Sequence, residues 1–115
     1  MRAKIYHNPR CSKSRATLAL LEQRGLEPEI IEYLKTPLQA SEIKELIAML
    51  RVAPKDLLRT GEAAFQESGL SPDAPADELV ALMASAPIVI ERPIVVIGGR
   101  ARIGRPPERV LELMD

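Results

Sequence analysis

Ile94-Val95-Val96-Ile97-Gly98-Gly99-Arg100-Ala101-Arg102-Ile103 is the stretch that decides the fold of this chain. A run of β-formers leads into Gly98-Gly99, and Arg100 and Arg102 then alternate with Ala101 and Ile103. A glycine pair between two such runs reads as the two-residue turn of a β-hairpin, because that turn needs positive φ and glycine adopts it without steric cost. The alternation gives the second strand one wet face. Pro106-Pro107-Glu108 then opens a helix carrying Val110, Leu111 and Met114, proline being tolerated in a first helical turn. The C-terminal end therefore reads ββα.

Working outward, the N-terminal end reads βαβ. Ala3 to Tyr6 forms a first strand, and Asn8-Pro9 is a turn signal. Ser12 to Arg24 forms a helix with Leu18, Leu20 and Leu21 on one side and Gly25 as its stop. Glu29 to Leu34 is a second strand around Ile30-Ile31. Between the two ends, Thr36-Pro37 and Ser41-Glu42 open a helix with Ile43, Leu46, Ile47 and Leu50 at helical spacing. Pro54 to Leu58 is a short helical piece. Residues 61–75 are broken by Gly61, Gly69, Pro72 and Pro75, and Ala76 to Ser85 is a helix that ends before Pro87. The order βαβ, helices, ββα predicts an α/β protein of thioredoxin-like, three-layer type. Its mixed four-stranded sheet lies in a single domain, 1–115, with a helical insertion at about 38–86.

Composition sets outer limits. At 115 residues, 46% apolar and 28% charged, the chain is long enough for one core and ordinary for a soluble domain. No apolar run reaches the roughly 20 residues of a membrane span, and the N-terminus has no signal-peptide pattern, so no membrane partner is expected. A lone cysteine argues against a secreted disulfide scaffold and for the cytoplasm. With no Trp and one Phe, the chain has few stacking platforms for nucleic acid. No metal cluster is expected, and no exposed apolar pattern demands a dimer, so a monomer is expected.

Net charge is zero, yet charge is segregated. Residues 1–15 hold Arg2, Lys4, Arg10, Lys13 and Arg15 with no acid, and residues 61–91 hold six acids with no Arg or Lys. Residues 92–109 hold five arginines against Glu108 alone. If the fold joins the two basic ends, they make a cationic site for a small anion. The alternative is solvated surface charge.

The only cysteine, Cys11, lies in Tyr6-His7-Asn8-Pro9-Arg10-Cys11-Ser12-Lys13-Ser14-Arg15, at the strand-to-helix junction. There the free N–H groups of a helix start, with Arg10, Lys13 and Arg15 nearby, favour the thiolate and would bind an oxyanion beside it. An inert interior cysteine is the alternative. The Cys-x5-Arg spacing of a phosphatase loop is absent, since the sixth residue after Cys11 is Thr17. Cys11-Ser12-Lys13-Ser14 is a Cys-x-x-Ser arrangement, which keeps the nucleophile of a dithiol motif without the second thiol. His7 is the only histidine. Charged, it would lower the thiol pKa, and neutral, it would hydrogen-bond the loop. Arg59, Arg92 and Arg105 are forked donors suited to a tetrahedral oxyanion.

Taken together, Tyr6-His7-Asn8-Pro9 before Cys11, Glu32-Tyr33-Leu34-Lys35-Thr36-Pro37, Leu57-Leu58-Arg59, Ile90-Glu91-Arg92-Pro93-Ile94-Val95-Val96 and Arg105-Pro106 closely resemble the glutaredoxin-linked arsenate reductase family, of thioredoxin-like fold. The resemblance spans nearly the whole chain. It implies Cys11 as catalytic nucleophile and Arg59, Arg92 and Arg105 as the oxyanion-binding trio, and His7 matches the family position near the cysteine; His7, Ser14 and Arg15 are expected to tune the thiolate. It also implies a structural cis-proline at Pro93. It further implies arsenate or a similar oxyanion as substrate, no bound cofactor, glutathione as co-substrate and glutaredoxin as partner. The chain departs from the family's usual Cys-Gly-Thr-Ser at Ser12-Lys13, and has Thr60-Gly61 after Arg59. Two other readings are a monothiol protein that deglutathionylates its targets and a redox regulator that binds RNA polymerase.

Overall fold

A computed structural model describes residues Arg2–Met114. The chain divides into two compact units, one made of residues up to Thr36 and from Arg92 onward, the other of Pro37–Glu91.

The first unit holds the sheet. Strands β1 (Ala3–Tyr6), β2 (Glu29–Ile31), β3 (Ile94–Ile97) and β4 (Arg100–Ile103) lie in the order β2-β1-β3-β4. β1 runs parallel to β2 and antiparallel to β3, and β3 and β4 form the expected hairpin. Gly98 and Gly99 both have positive φ, at 60° and 79°, as that turn requires. β1 and β3 pair Ala3 with Ile97 and Ile5 with Val95. Those four side chains share a face and meet Leu21, Val110 and Leu113 in a buried cluster. Each Leu, Ile or Val side chain so buried contributes about 2 kcal/mol.

Helix α1 (Ser12–Gln23) crosses between β1 and β2. It ends on a Schellman motif, with Gly25 at φ 82°, its N–H on Glu22 O, and the Leu26 N–H on Leu21 O. β2 is shorter than its β-branched sequence suggests. After Ile31 the chain turns, the N–H groups of Lys35 and Thr36 both take Glu32 O, and Tyr33 goes into the interior. The C-terminal segment is a 3-10 helix, Pro107–Met114, which buries Val110 and Leu113 in place of Leu111. Arg100 Nη2 donates to Leu113 O, and Arg102 Nε donates to Glu112 Oε1 at 2.9 Å, so the arginines of the wet face tie this helix to β4.

The second unit is helical: α2 (Ala40–Leu50), a 3-10 turn at Pro54–Leu57, α3 (Ala63–Glu67), α4 (Ala76–Ser85) and a 3-10 turn at Pro87–Val89. α2 packs on α4, and α4 packs on both 3-10 turns. Helix α3 lies inside the stretch that glycine and proline marked as broken, and Phe65 is its buried residue. An isolated antiparallel bridge joins Leu58 to Ile90. Among the described residues no helix is long and apolar enough to cross a membrane.

Candidate active site

Cys11 is the N-cap of α1. Its backbone is extended (φ −94°, ψ 123°), and its carbonyl accepts the first helical hydrogen bond, from Arg15 N–H at 3.0 Å. The turn before it is held by Asn8. Asn8 O accepts the Cys11 N–H at 3.0 Å, Asn8 Oδ1 accepts the Arg10 N–H at 3.0 Å, and the Asn8 N–H donates to Ser14 Oγ at 3.0 Å. An asparagine side chain that closes its own turn in this way fixes the direction from which the next residues enter the helix.

The sulfur is half-buried. Arg105 Nη2 donates to it at 3.4 Å. Arg105 is aimed by a second bond, from its Nε to Arg92 O at 2.8 Å. Burial pushes the Cys11 thiol up, but the backbone N–H groups of Ser14 and Lys13, the charge of Arg105 and a hydrogen bond from the Arg92 side chain outweigh it, and the pKa ends below that of an ordinary thiol. Two N–H groups of the first helical turn and two guanidinium groups thus act on the sulfur.

His7 acts at one remove. It is buried, and its Nδ1 lies 2.7 Å from Ser14 Oγ. Burial lowers its pKa, and Arg15 adds to this while Glu32 opposes it. Burial therefore favours the neutral imidazole. Ser14 is fully buried at 0% exposure. Its hydroxyl accepts from the Asn8 N–H and lies within hydrogen-bond reach of Nδ1. His7 is thus tied to the cysteine loop through Ser14. Arg15 Nη1 donates to Pro9 O at 2.9 Å, so this guanidinium braces the turn.

The Arg92–Pro93 peptide bond is cis, as is Arg105–Pro106. Gly104 N–H donates to Pro93 O at 2.9 Å. A Cβ on Gly104 would stand 2.5 Å from Thr17 Oγ1 and 2.8 Å from Pro93 Cγ. Only glycine lets β4 lead into Arg105 at this distance from α1 and Pro93. The two basic ends of the sequence therefore meet at Cys11 through Arg92 and Arg105. Lys13 acts through its backbone N–H, and Asn8 and Gly104, through the loops they shape, are site residues that the sequence did not single out. Asn8-Pro9 carried a turn signal, whereas Gly104 carried none.

Arg59 belongs to the second unit. Its N–H donates to Val89 O at 2.7 Å, and its Nη1 donates to Glu91 Oε1 at 2.7 Å. Its Nε lies 3.5 Å from Glu62 Oε2. Among the described residues there is no cluster of three or more His, Cys, Asp or Glu that could hold a metal ion.

A mixed sheet ordered βαβ–ββα, with its single thiol at the start of the first helix and a cis-proline before the third strand, defines a thioredoxin-like fold. The chain belongs to the ArsC family, whose match covers residues 6–113. It is 48% identical over 113 residues to the Escherichia coli K12 protein YfgD, described as uncharacterized, covering 96% of this chain and 95% of that one. It is 44% identical over 109 residues to a Neisseria meningitidis protein named arsenate reductase, covering 93% of each. The solved structure of an arsenate reductase from Vibrio cholerae superposes with a TM-score of 0.95 at 48% identity, covering 98% of both chains.

Proposed function

We propose that this protein is an arsenate reductase that uses Cys11 as its nucleophile and takes electrons from glutathione and glutaredoxin. The observation that carries the proposal is the 3.4 Å hydrogen bond from Arg105 to the Cys11 sulfur, in a chain whose relatives at 44% identity bear that enzyme's name. A thiolate held by guanidinium groups is both reactive and already beside the donors that an oxyanion needs.

The reaction runs in four steps. The Cys11 thiolate attacks arsenic, an S–As bond forms, and one arsenate oxygen leaves as water after taking up protons. Glutathione then condenses at the same arsenic through its sulfur, releasing a second water. A glutaredoxin thiolate attacks the glutathione sulfur, forming a mixed disulfide. The S–As electron pair stays on arsenic, which passes from As(V) to As(III). Water finally cleaves the remaining S–As bond, releasing arsenite and the Cys11 thiol. Two thiols become one disulfide and arsenic gains two electrons, so no resident cofactor is needed.

In this scheme Arg92 and Arg105 trade their bonds to the sulfur for bonds to arsenate oxygens as the S–As bond forms. Arg59 is the third oxyanion ligand, on the strength of the family resemblance. A cleft of about 250 Å³ lined by His7, Asn8, Pro9, Arg10, Glu32, Leu34 and Lys35 borders the cysteine loop. Its Arg10, and Lys35 with its Nζ 3.4 Å from Glu32 Oε1 in the same cleft, offer cations to the two carboxylates of glutathione, which supports that donor. The scheme needs one chain only and a compartment that keeps glutathione reduced, such as the cytoplasm.

The test is arsenate-dependent NADPH oxidation in the presence of glutathione, glutathione reductase and glutaredoxin. Turnover should vanish in Cys11→Ser and on omission of either thiol donor. Arsenite formed without glutathione, quantified directly because glutathione reductase consumes NADPH only against glutathione disulfide, would remove that donor from the scheme, and no turnover above Cys11→Ser would remove the activity.

A further inference from the structure

The second unit contains a side-chain cluster that the scheme above does not use. The segment Leu57-Leu58-Arg59 is paired with Val89-Ile90-Glu91: the Arg59 N–H donates to Val89 O at 2.7 Å, the Glu91 N–H donates to Leu57 O at 2.7 Å, and Leu58 bridges Ile90. Leu57, Leu58, Val89 and Ile90 are all buried. This short ladder fixes the backbones of Arg59 and Glu91 against each other, and their side chains close a third bond, Nη1 to Oε1 at 2.7 Å. The pair is half-buried, at 27% and 23% side-chain exposure. Glu62 stands 3.5 Å from Nε, a distance for an ion pair rather than a hydrogen bond. Nε is buried and has no hydrogen-bond partner among the described residues, and the hydrogen bond to Glu91 is made by Nη1.

We infer that Glu91, supported by Glu62, is a positioning residue that locks the guanidinium of Arg59 in the one orientation from which it meets the oxyanion. Two carboxylates against one guanidinium leave no surplus positive charge at this point. Anion binding by Arg59 therefore depends on the direction of its N–H groups. A long side chain released from Glu91 would sample several rotamers and lose that direction.

This inference rests on the proposed role of Arg59 as an oxyanion ligand, and the experiment separates the two. Glu91→Ala should lower kcat/KM for arsenate about tenfold, the scale of one lost charge-assisted hydrogen bond. Glu91→Gln, whose amide oxygen still accepts from Nη1, should restore most of that loss. In an Arg59→Ala background Glu91→Ala should cost nothing further. A full additional loss in that background, or equal losses in the Ala and Gln variants, would overturn the positioning role. Full activity in Arg59→Ala alone would overturn the role of Arg59 itself. A readout independent of turnover is the side-chain N–H NMR of Arg59. Its Nη signals should be resolved in the wild type and averaged by free rotation in Glu91→Ala. Identical spectra would contradict the lock.

Discussion

Arg105 Nη2 stands 3.4 Å from the sulfur of Cys11, a residue 94 positions earlier in the chain. The contact joins the two ends of the sequence through the sheet: β1 delivers Cys11 to the start of α1, and β4 delivers Arg105 by way of Gly104. Arg105 is steered by its second bond to Arg92 O, so its orientation toward the sulfur is built in before any anion arrives.

The first prediction concerns ionisation. Arg105→Ala should raise the Cys11 pKa, read from ultraviolet thiolate absorbance against pH, while the wild-type midpoint lies below the ~8.5 of a free thiol. The stability of the protein should follow. Below the folded-state pKa the thiol is neutral in both states and contributes nothing. Between that value and ~8.5 the folded chain ionises first, so stability grows with pH and the gain is complete above ~8.5. The melting-temperature difference between wild type and Cys11→Ser should therefore widen as pH rises through this window. A constant difference would contradict the lowered pKa.

Ser14→Ala should destabilise the protein by about 1–3 kcal/mol, because it strips partners from the Asn8 N–H and from His7 Nδ1 inside the fold. Chemical denaturation measures the loss. The same variant should leave the cysteine loop less ordered and so raise the thiol pKa, although the Ser14 N–H itself remains. A neutral effect on stability would mean that water replaces the hydroxyl.

Gly104→Ala should cost about 1–3 kcal/mol, the usual range for overpacking. The added methyl would meet Thr17 Oγ1 and Pro93 Cγ within 3 Å, so activity should fall along with stability as Arg105 shifts. Pairing it with Thr17→Ser, which removes the third neighbour, Cγ2 at 3.2 Å, should recover part of the loss. Unaltered stability in Gly104→Ala would show that the segment gives way freely.

Arg10→Ala and Lys35→Ala should each raise KM for glutathione several-fold while leaving KM for arsenate unchanged, if the cleft beside the cysteine loop receives the thiol donor. The two effects should be screened by salt. A change in KM for arsenate alone would move these residues to the oxyanion side.

Much of the fold was legible in the sequence because its signals were local. Gly98-Gly99 announced the hairpin, Gly25 the end of α1, and Pro87 the end of α4. Cys11 at a helix start followed from the same local reading. What could not be read were relations between distant groups. The extent of β2 was cut short because Glu32 O serves a turn instead of a ladder, and Tyr33 is drawn inside. Phe65 supplies the burial that lets a short helix form between glycines. No local signal marks the contact of His7 Nδ1 with Ser14, and none marks Gly104 as the glycine that α1 and Pro93 require. The partnership of Arg59 with Glu91 spans 32 positions and depends on a single backbone bridge.

Arsenic speciation tests the central claim most directly. Arsenate is incubated with the protein, glutathione and reduced glutaredoxin, and arsenite is separated and quantified against the disulfide formed. The account predicts one arsenite for each mixed disulfide from the wild type and none above background from Cys11→Ser. Equal arsenite from both proteins, or none from either, would contradict it.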